Sequence, residues 1–279
     1  MSKLYYLPFA CILTFISLSF GCNAPTPPPL ISDSTAQTSI EESASPTPPE
    51  KETVWSVLDI DDSYISPARK LVAFTFDDAP RGTLGNLLAV FADFNEKNPD
   101  CQASATVFCN GNLLDENALS LLRVARVARW ELGNHTQNHL DLTALSETEL
   151  SAEIDKTDTL LSSVDGKRRH LLRAPFGRIN ARVQAIATTP IIDWTIDTLD
   201  WTGVPAQTIT AQVLSEAYSG AIILMHDGYE NTVEAVKTLL PALKGAGYQV
   251  VSVSAMAKAH ACTLKNGSVY IRARKRGKA

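Results

Sequence analysis

From Leu71 onward, short apolar runs alternate with longer stretches in which apolar positions recur at helical spacing. The runs predict strands at Leu71–Phe76, Ala105–Cys109, Glu131–Gly133, His170–Arg173, Ile191–Thr195, Ala221–Met225 and Gln249–Val253. The longer stretches predict helices over Thr83–Lys97, Asp115–Arg129, Glu147–Ser163, Asn180–Thr188, Gln207–Tyr218 and Thr232–Ala246. In the third of these, Leu150, Ile154, Leu160 and Leu161 follow the helical period. Ser146 stands at the N-cap, with Glu149 in the capping-box position. Gly245 and Gly247 supply the residue type that ends a helix. Strands that alternate with helices imply βα units and a parallel sheet, and their number implies an α/β barrel.

The first 53 residues follow neither period. Lys3 precedes an apolar stretch from Leu4 to Phe20, interrupted by Pro8 and ending in Ser19-Phe-Gly-Cys22. Residues 1–22 resemble a lipoprotein signal, with Cys22 as the lipidated residue; an uncleaved signal anchor and a cleaved secretory peptide are the alternatives. Residues 23–53 carry seven prolines (25, 27, 28, 29, 46, 48 and 49) among Ser, Thr, Ala and Glu. Such a segment cannot bury enough apolar surface to fold, and it reads as a linker. The catalytic domain is then expected over 54–262, followed by a basic tail over 263–279, where Arg272 to Lys278 form a solvated run. This order predicts a domain that works outside the cytoplasm, in a bacterial cell envelope, held at a membrane by its N-terminus.

The chain of 279 residues is 45% hydrophobic, enough for one full core. Its net charge of -5 gives no nucleic-acid footprint. Of the five cysteines, Cys101, Cys109 and Cys262 fall in the folded part; an odd number cannot all pair, and without Cys-x-x-Cys a cysteine metal site is not expected.

In such barrels the chemistry sits where strands end and loops begin. Asp77-Asp78 follows the first predicted strand, His135 and His139 the third, and His226 the run Ala221–Met225; Arg173 ends the fourth strand, and Asp197 and Asp200 come after the fifth. Two histidines four apart, together with an aspartate, suit a borderline divalent metal, above all zinc. Three protein ligands leave a position for water, and the second aspartate is free to act on that water as a base. His170 and His260 have no partner in any motif and read as surface or structural residues; Trp55, Trp130 and Trp194 read as packing.

Five segments, in order, resemble the motifs of polysaccharide deacetylases of the NodB-homology type (carbohydrate esterase family 4). They are Thr75-Phe-Asp-Asp-Ala-Pro80, His135-Thr-Gln-Asn-His139, Arg173-Ala-Pro-Phe-Gly177, Asp197-Thr-Leu-Asp-Trp201 and Leu224-Met-His226. The resemblance implies a distorted parallel (β/α) barrel of about seven or eight strands. It implies that Asp78, His135 and His139 bind the metal, zinc or another divalent ion such as cobalt. Asp77 would be the base, with Arg173 as its counter-ion. His226 would be the general acid, oriented by Asp200, and the backbone N–H of Phe176 would stabilise the oxyanion. Trp201 and Leu224 would wall the acetyl pocket. Ala79 stands where the family has glycine, so a positive φ there would be disfavoured.

The activity implied is removal of N-acetyl groups from N-acetylglucosamine units of a surface polysaccharide, peptidoglycan or a chitin-like chain. An O-acetyl esterase acting on acetylated xylan would use the same groups. A carbohydrate-binding protein without catalysis would be expected to have lost a ligand or the acid, and all of them are present.

Overall fold

β1 (Lys70–Ala79) is the centre of the molecule because both of its faces are buried. Val72, Phe74 and Phe76 point to one side and join the core beneath the helices; Leu71 and Ala73 point to the other and join the barrel interior. A strand covered on both faces reads as a continuous apolar run, which is what the sequence displays.

The structure is a computed structural model that describes residues 54–273. The expected N-terminal signal with Cys22, the expected linker and the basic residues after Ala273 lie outside the described residues. The remaining elements in chain order are α1 (Leu84–Lys97), β2 (Thr106–Cys109), α2 (Glu116–Val127), β3 (Glu131–Asn134), α3 (Glu147–Asp165), β4 (Leu171–Leu172), α4 (Ala181–Ile186), β5 (Ile191–Ile192), β6 (Ile196–Asp197), α5 (Ala206–Glu216), β7 (Ile222–His226), α6 (Glu230–Gly245), β8 (Tyr248–Val251), α7 (Val253–Ala259) and β9 (Val269–Tyr270).

The strands pair in parallel in the order β6-β7-β1-β2-β3-β4-β5-β9, and β8 pairs with the first half of β1. The sheet is a curled, incomplete barrel. The chain beyond β9 reaches back toward β7: Arg272 bridges Ala221 in antiparallel fashion, and the N–H of Ala273 donates to the carbonyl of Gly220 at 3.1 Å. Residues 263–273, expected as part of a tail, therefore belong to the folded unit; a two-residue strand is too short for its period to register.

Other expectations are refined. The expected strand Ile191–Thr195 is only two residues long, β5; it ends before Asp193, whose carbonyl accepts from Arg173 Nη2 at 3.3 Å, and a separate short strand, β6, begins at Ile196. Helix α7 was not predicted, because Val253, Ser254, Ala255, Met256 and Ala257 are all buried and no polar face marks the helical period. The capping box of α3 forms as expected, and Gly166 in the left-handed region closes that helix.

Outside the sheet, Trp130 stacks on Phe76 at 5.4 Å between ring centroids, and Phe91 meets both rings edge-on. This aromatic wedge fills the space between β1, α1 and the start of β3. No helix among the described residues is long and apolar enough to cross a membrane.

Candidate active site

The interior face of β1 carries Leu71, Ala73, Thr75 and Asp77 by simple alternation, so the last residue of that row points into the mouth of the barrel. In a regular strand Asp78 would point the opposite way. Register prevents this: Phe76 pairs with Val107 but Ala79 with Cys109, so β1 spends one extra residue at Asp77-Asp78. The bulge and a φ of 63° at Asp78 turn both carboxylates toward the same histidine. Aspartate tolerates that backbone better than most residues. The positive φ thus falls on Asp78 and not on Ala79, which explains why alanine is accepted in the position after the aspartates.

His135 follows β3, and His139 lies in the loop after it. His135 Nε2 is 3.6 Å from Asp77 Oδ2 and 3.7 Å from Asp78 Oδ1; His139 Nε2 is 3.4 Å from Asp78 Oδ1. One donor atom from each of Asp78, His135 and His139 lies within 4.8 Å of the others, a spacing that suits one metal ion. The chemistry of the donors also fits. His135 Nδ1 lies 2.9 Å from the carbonyl oxygen of Arg173, to which it donates, so Nε2 keeps its lone pair for a metal. Burial and the neighbouring His135 hold His139 below the usual imidazole range, which favours the neutral, ligating form. Burial opposes ionisation of Asp78, but the charges of His135 and His139 and the amide of Asn110 outweigh it and hold its carboxyl below the usual range.

The loop that carries the histidines is held from helix α3. Glu153 accepts from the N–H of Asn138 at 2.7 Å and from its side-chain amide at 2.6 Å. Asn134 donates to Asp158 at 3.0 Å and accepts from the N–H of Thr136 at 2.8 Å. Asp158 in turn accepts from His170 Nδ1 at 2.9 Å, and Asp165 lies 3.2 Å from Nε2 of the same ring. His170 is therefore structural and buried, between two carboxylates that sequence spacing did not suggest as partners.

Asp77 is held from behind. Arg173, 1% exposed, donates from Nη1 to Asp77 Oδ1 and to Thr75 Oγ1, each at 2.7 Å, and from Nε to the carbonyl of Ile192 at 3.0 Å. Its guanidinium lies 4.2 Å from the centre of the Phe108 ring. Pairing and bonding on this scale are what a buried cation requires.

On the other side, β7 brings Leu224 and His226 to the interior. Leu224 is buried below His226, level with Thr75. His226 Nδ1 meets Asp200 Oδ1 at 2.7 Å, and its backbone N–H donates to Asp200 Oδ2 at 2.7 Å. Thr232 also donates to Asp200 Oδ2, at 2.6 Å. Burial alone would lower the pKa of His226, but the Asp200 bond and the charges of Asp77, Asp200 and Asp78 raise it above the usual value.

Phe176 and Trp201 are 61% and 53% exposed. Phe176 has a φ of 61°, and its ring meets the His139 ring edge-on at 4.7 Å, beside the Asp78, His135 and His139 cluster. Trp201 sits in the turn after Asp200, and its N–H donates to Asp200 Oδ1 at 3.0 Å. Trp194 packs against Arg173 and against Gly177, where an added Cβ would lie 2.9 Å from the indole.

The structure brings Asp77, Asp78, His135, His139 and Arg173 together and joins His226 to Asp200, and it adds other residues to this cluster. Asn110 donates to Asp78 Oδ1 at 3.2 Å, Arg81 to Asp78 Oδ2 at 3.0 Å, and burial pushes the carboxyl of Asp193 up. Asp227 is fully buried and fastens the loop at Arg81 and Thr83. Its position directly after His226 was the one signal that could have drawn attention to it.

A sequence profile of the family described as Polysaccharide deacetylase matches residues 65–190. Peptidoglycan-N-acetylmuramic acid deacetylase PdaC of Bacillus subtilis is 30% identical over 190 residues, 68% of this chain and 39% of that protein. A peptidoglycan-N-acetylglucosamine deacetylase of Bacillus cereus is 33% identical over 195 residues, 66% of this chain and 67% of that protein. The chain thus spans about two fifths of the first relative's length and two thirds of the second's. Among solved structures, the Xyl-CE4 domain of a multidomain xylanase from the hindgut metagenome of Trinervitermes trinervoides superposes with a TM-score of 0.68 at 26% identity, over 74% of this chain and 98% of that one.

Proposed function

This chain belongs to the polysaccharide deacetylase family, and we propose that it is a zinc-dependent hydrolase that removes N-acetyl groups from N-acetylglucosamine units of a bacterial envelope glycan. The observation that carries this reading is a base and an acid, each with its own partner, on facing residues of neighbouring strands beside one ligand set. Asp77 is fixed by Arg173 and pairs in register with His226, His226 is fixed by Asp200, and Asp78, His135 and His139 cluster next to Asp77.

Asp78, His135 and His139 would hold the ion. When bound, it supplies Lewis acidity and makes water more acidic. Asp77 accepts the proton of the attacking water. The backbone N–H of Phe176, turned by its positive φ, donates to the developing oxyanion. His226, whose pKa the Asp200 bond raises, delivers a proton to the departing amine, which is a poor leaving group without one. Trp201 and Leu224 bound the pocket for the acetyl methyl group.

The names of the relatives support peptidoglycan as the substrate, and the N-terminal lipoprotein-like segment and linker support action outside the cytoplasm. An acetyl ester of xylan is the second reading, favoured by the similarity to the Xyl-CE4 domain. Acetate release by the full chain from peptidoglycan, chitin and acetylated xylan fragments tests the proposal. Activity on xylan alone selects the ester reading, and release from none overturns both.

A further inference from the structure

Asp78 has two oxygens with different company. Oδ1 faces the imidazoles of His135 and His139; Oδ2 accepts from Arg81 Nη1 at 3.0 Å. The Arg81 guanidinium thus stands one carboxylate away from the ligand set. Its side chain is 54% exposed, and among the described residues this is the one bond its head makes. A guanidinium has five N–H donors, so most of them are left for a ligand.

Arg81 is also held in place. Its backbone N–H donates to Asp227 Oδ2, and Asp227 Oδ1 further accepts from Thr83 N at 2.9 Å, Thr83 Oγ1 at 2.6 Å and Gly228 N at 2.8 Å. Its aliphatic stem lies on Gly228: a Cβ there would come within 3.1 Å of Arg81 Cγ and 3.2 Å of Cδ, at a φ of +98° that itself favours glycine. A cation fixed in this way loses little freedom when it binds an anion.

Arg173 contrasts with it. Its donors are spent on Asp77, Thr75 and two backbone carbonyls, and it is closed to solvent. Asp77 and Asp78 are each matched by one arginine, and of the two guanidinium groups only that of Arg81 is open to solvent.

We infer that Arg81 is a specificity-determining residue that receives a carboxylate borne by the substrate's sugar next to the acetamido group. The inference rests on the deacetylase reading and extends its acetylated sugar from N-acetylglucosamine to N-acetylmuramic acid. The lactyl ether of muramic acid places a carboxylate on the carbon adjacent to the one that bears the amide. N-acetylglucosamine has a plain hydroxyl there. A guanidinium matches a carboxylate with two parallel bonds, whereas it gains little from a hydroxyl.

The test compares the zinc-loaded full chain with its Arg81→Gln and Arg81→Lys variants. The substrates are an N-acetylglucosamine oligomer and a peptide-free oligomer of alternating N-acetylglucosamine and N-acetylmuramic acid. Arg81→Gln is expected to raise KM for the carboxylated oligomer by about tenfold, the scale of one charge-assisted bond, with kcat little changed. Arg81→Lys is expected to restore part of the loss, and bound zinc and the KM for the neutral oligomer are expected to stay as in the parent. Equal losses on both oligomers, or loss of zinc, would overturn the inference and make Arg81 a support for Asp78. If the parent releases acetate from neither oligomer, the deacetylase reading fails separately. Calorimetric binding of the two oligomers in an Asp77→Asn background then still decides: no preference for the carboxylated oligomer, or one that survives Arg81→Gln, overturns the Arg81 assignment.

Discussion

The ring of His135 donates from Nδ1 to the backbone carbonyl of Arg173 at 2.9 Å. The proposed metal ligand is therefore oriented by the main chain of the residue whose side chain holds Asp77, the proposed base. The two duties are separable by mutation, because a substitution removes a side chain and leaves its carbonyl. Arg173→Met is expected to keep bound zinc while losing most activity. It strands a buried carboxylate, so it should also cost about 3–5 kcal/mol of stability. Elemental analysis, acetate release and thermal unfolding on one variant check all three; zinc loss would show that the loop needs the guanidinium as well.

His135→Ala and His139→Ala are expected to lose both zinc and activity, since two protein ligands hold the ion poorly. Asp77→Asn should keep the zinc and lose the hydrolysis. Asp77 and Asp78 lie almost equally far from His135 Nε2, at 3.6 and 3.7 Å. The metal content of Asp77→Asn is therefore the measurement that discriminates them, and a zinc-free variant would exchange their roles.

His226→Ala should slow amide cleavage by about 10²–10⁴-fold, the range for general acid catalysis, and slow an activated acetyl ester much less. Equal losses on both substrates would assign His226 a positioning duty. The pH profile gives a second reading. The raised pKa of His226 moves the fall in rate, where the acid loses its proton, above the usual imidazole value. Asp200→Asn removes the principal bond that raises it, so the falling limb should move to lower pH.

His170 supplies a pH-dependent part of stability. Burial lowers its pKa, but the bonds to Asp158 and Asp165 outweigh this and raise it. A raised folded value means that the contribution is complete below the unfolded pKa of about 6.5 and fades as pH rises through the folded value. Unfolding midpoints of the parent should therefore fall across the neutral to alkaline range. In His170→Gln the midpoint should be lower at acid pH and show less of that fall; parallel profiles for the two proteins would contradict the linkage.

The primary side chains of the site were legible because each sits at the end of a strand or in a motif beside one, and strand ends show in the hydrophobic pattern. What was not legible depends on contacts between distant segments. Asn110 and Asp227 reach Asp78 or its loop from other loops, and no spacing rule links them; Arg81 is only three residues from Asp78, but their pairing depends on the turn between them. His170 looked unpartnered because both of its carboxylates lie on α3, five and twelve residues earlier. β9 was hidden by its brevity, and α7 by burial that erased its polar face.

The extra residue at Asp77-Asp78 makes the site a matter of parity. A strand deals its side chains alternately to two layers, so two neighbours can serve one layer only if the count is broken once between them. Removing one residue there would restore an even strand with its apolar rows still in phase up to Phe76. Such a chain would keep the inner lining of its barrel and present a single carboxylate where two are required. Catalysis in this molecule thus hangs on an odd number, and it can be erased by subtraction while the fold beneath remains.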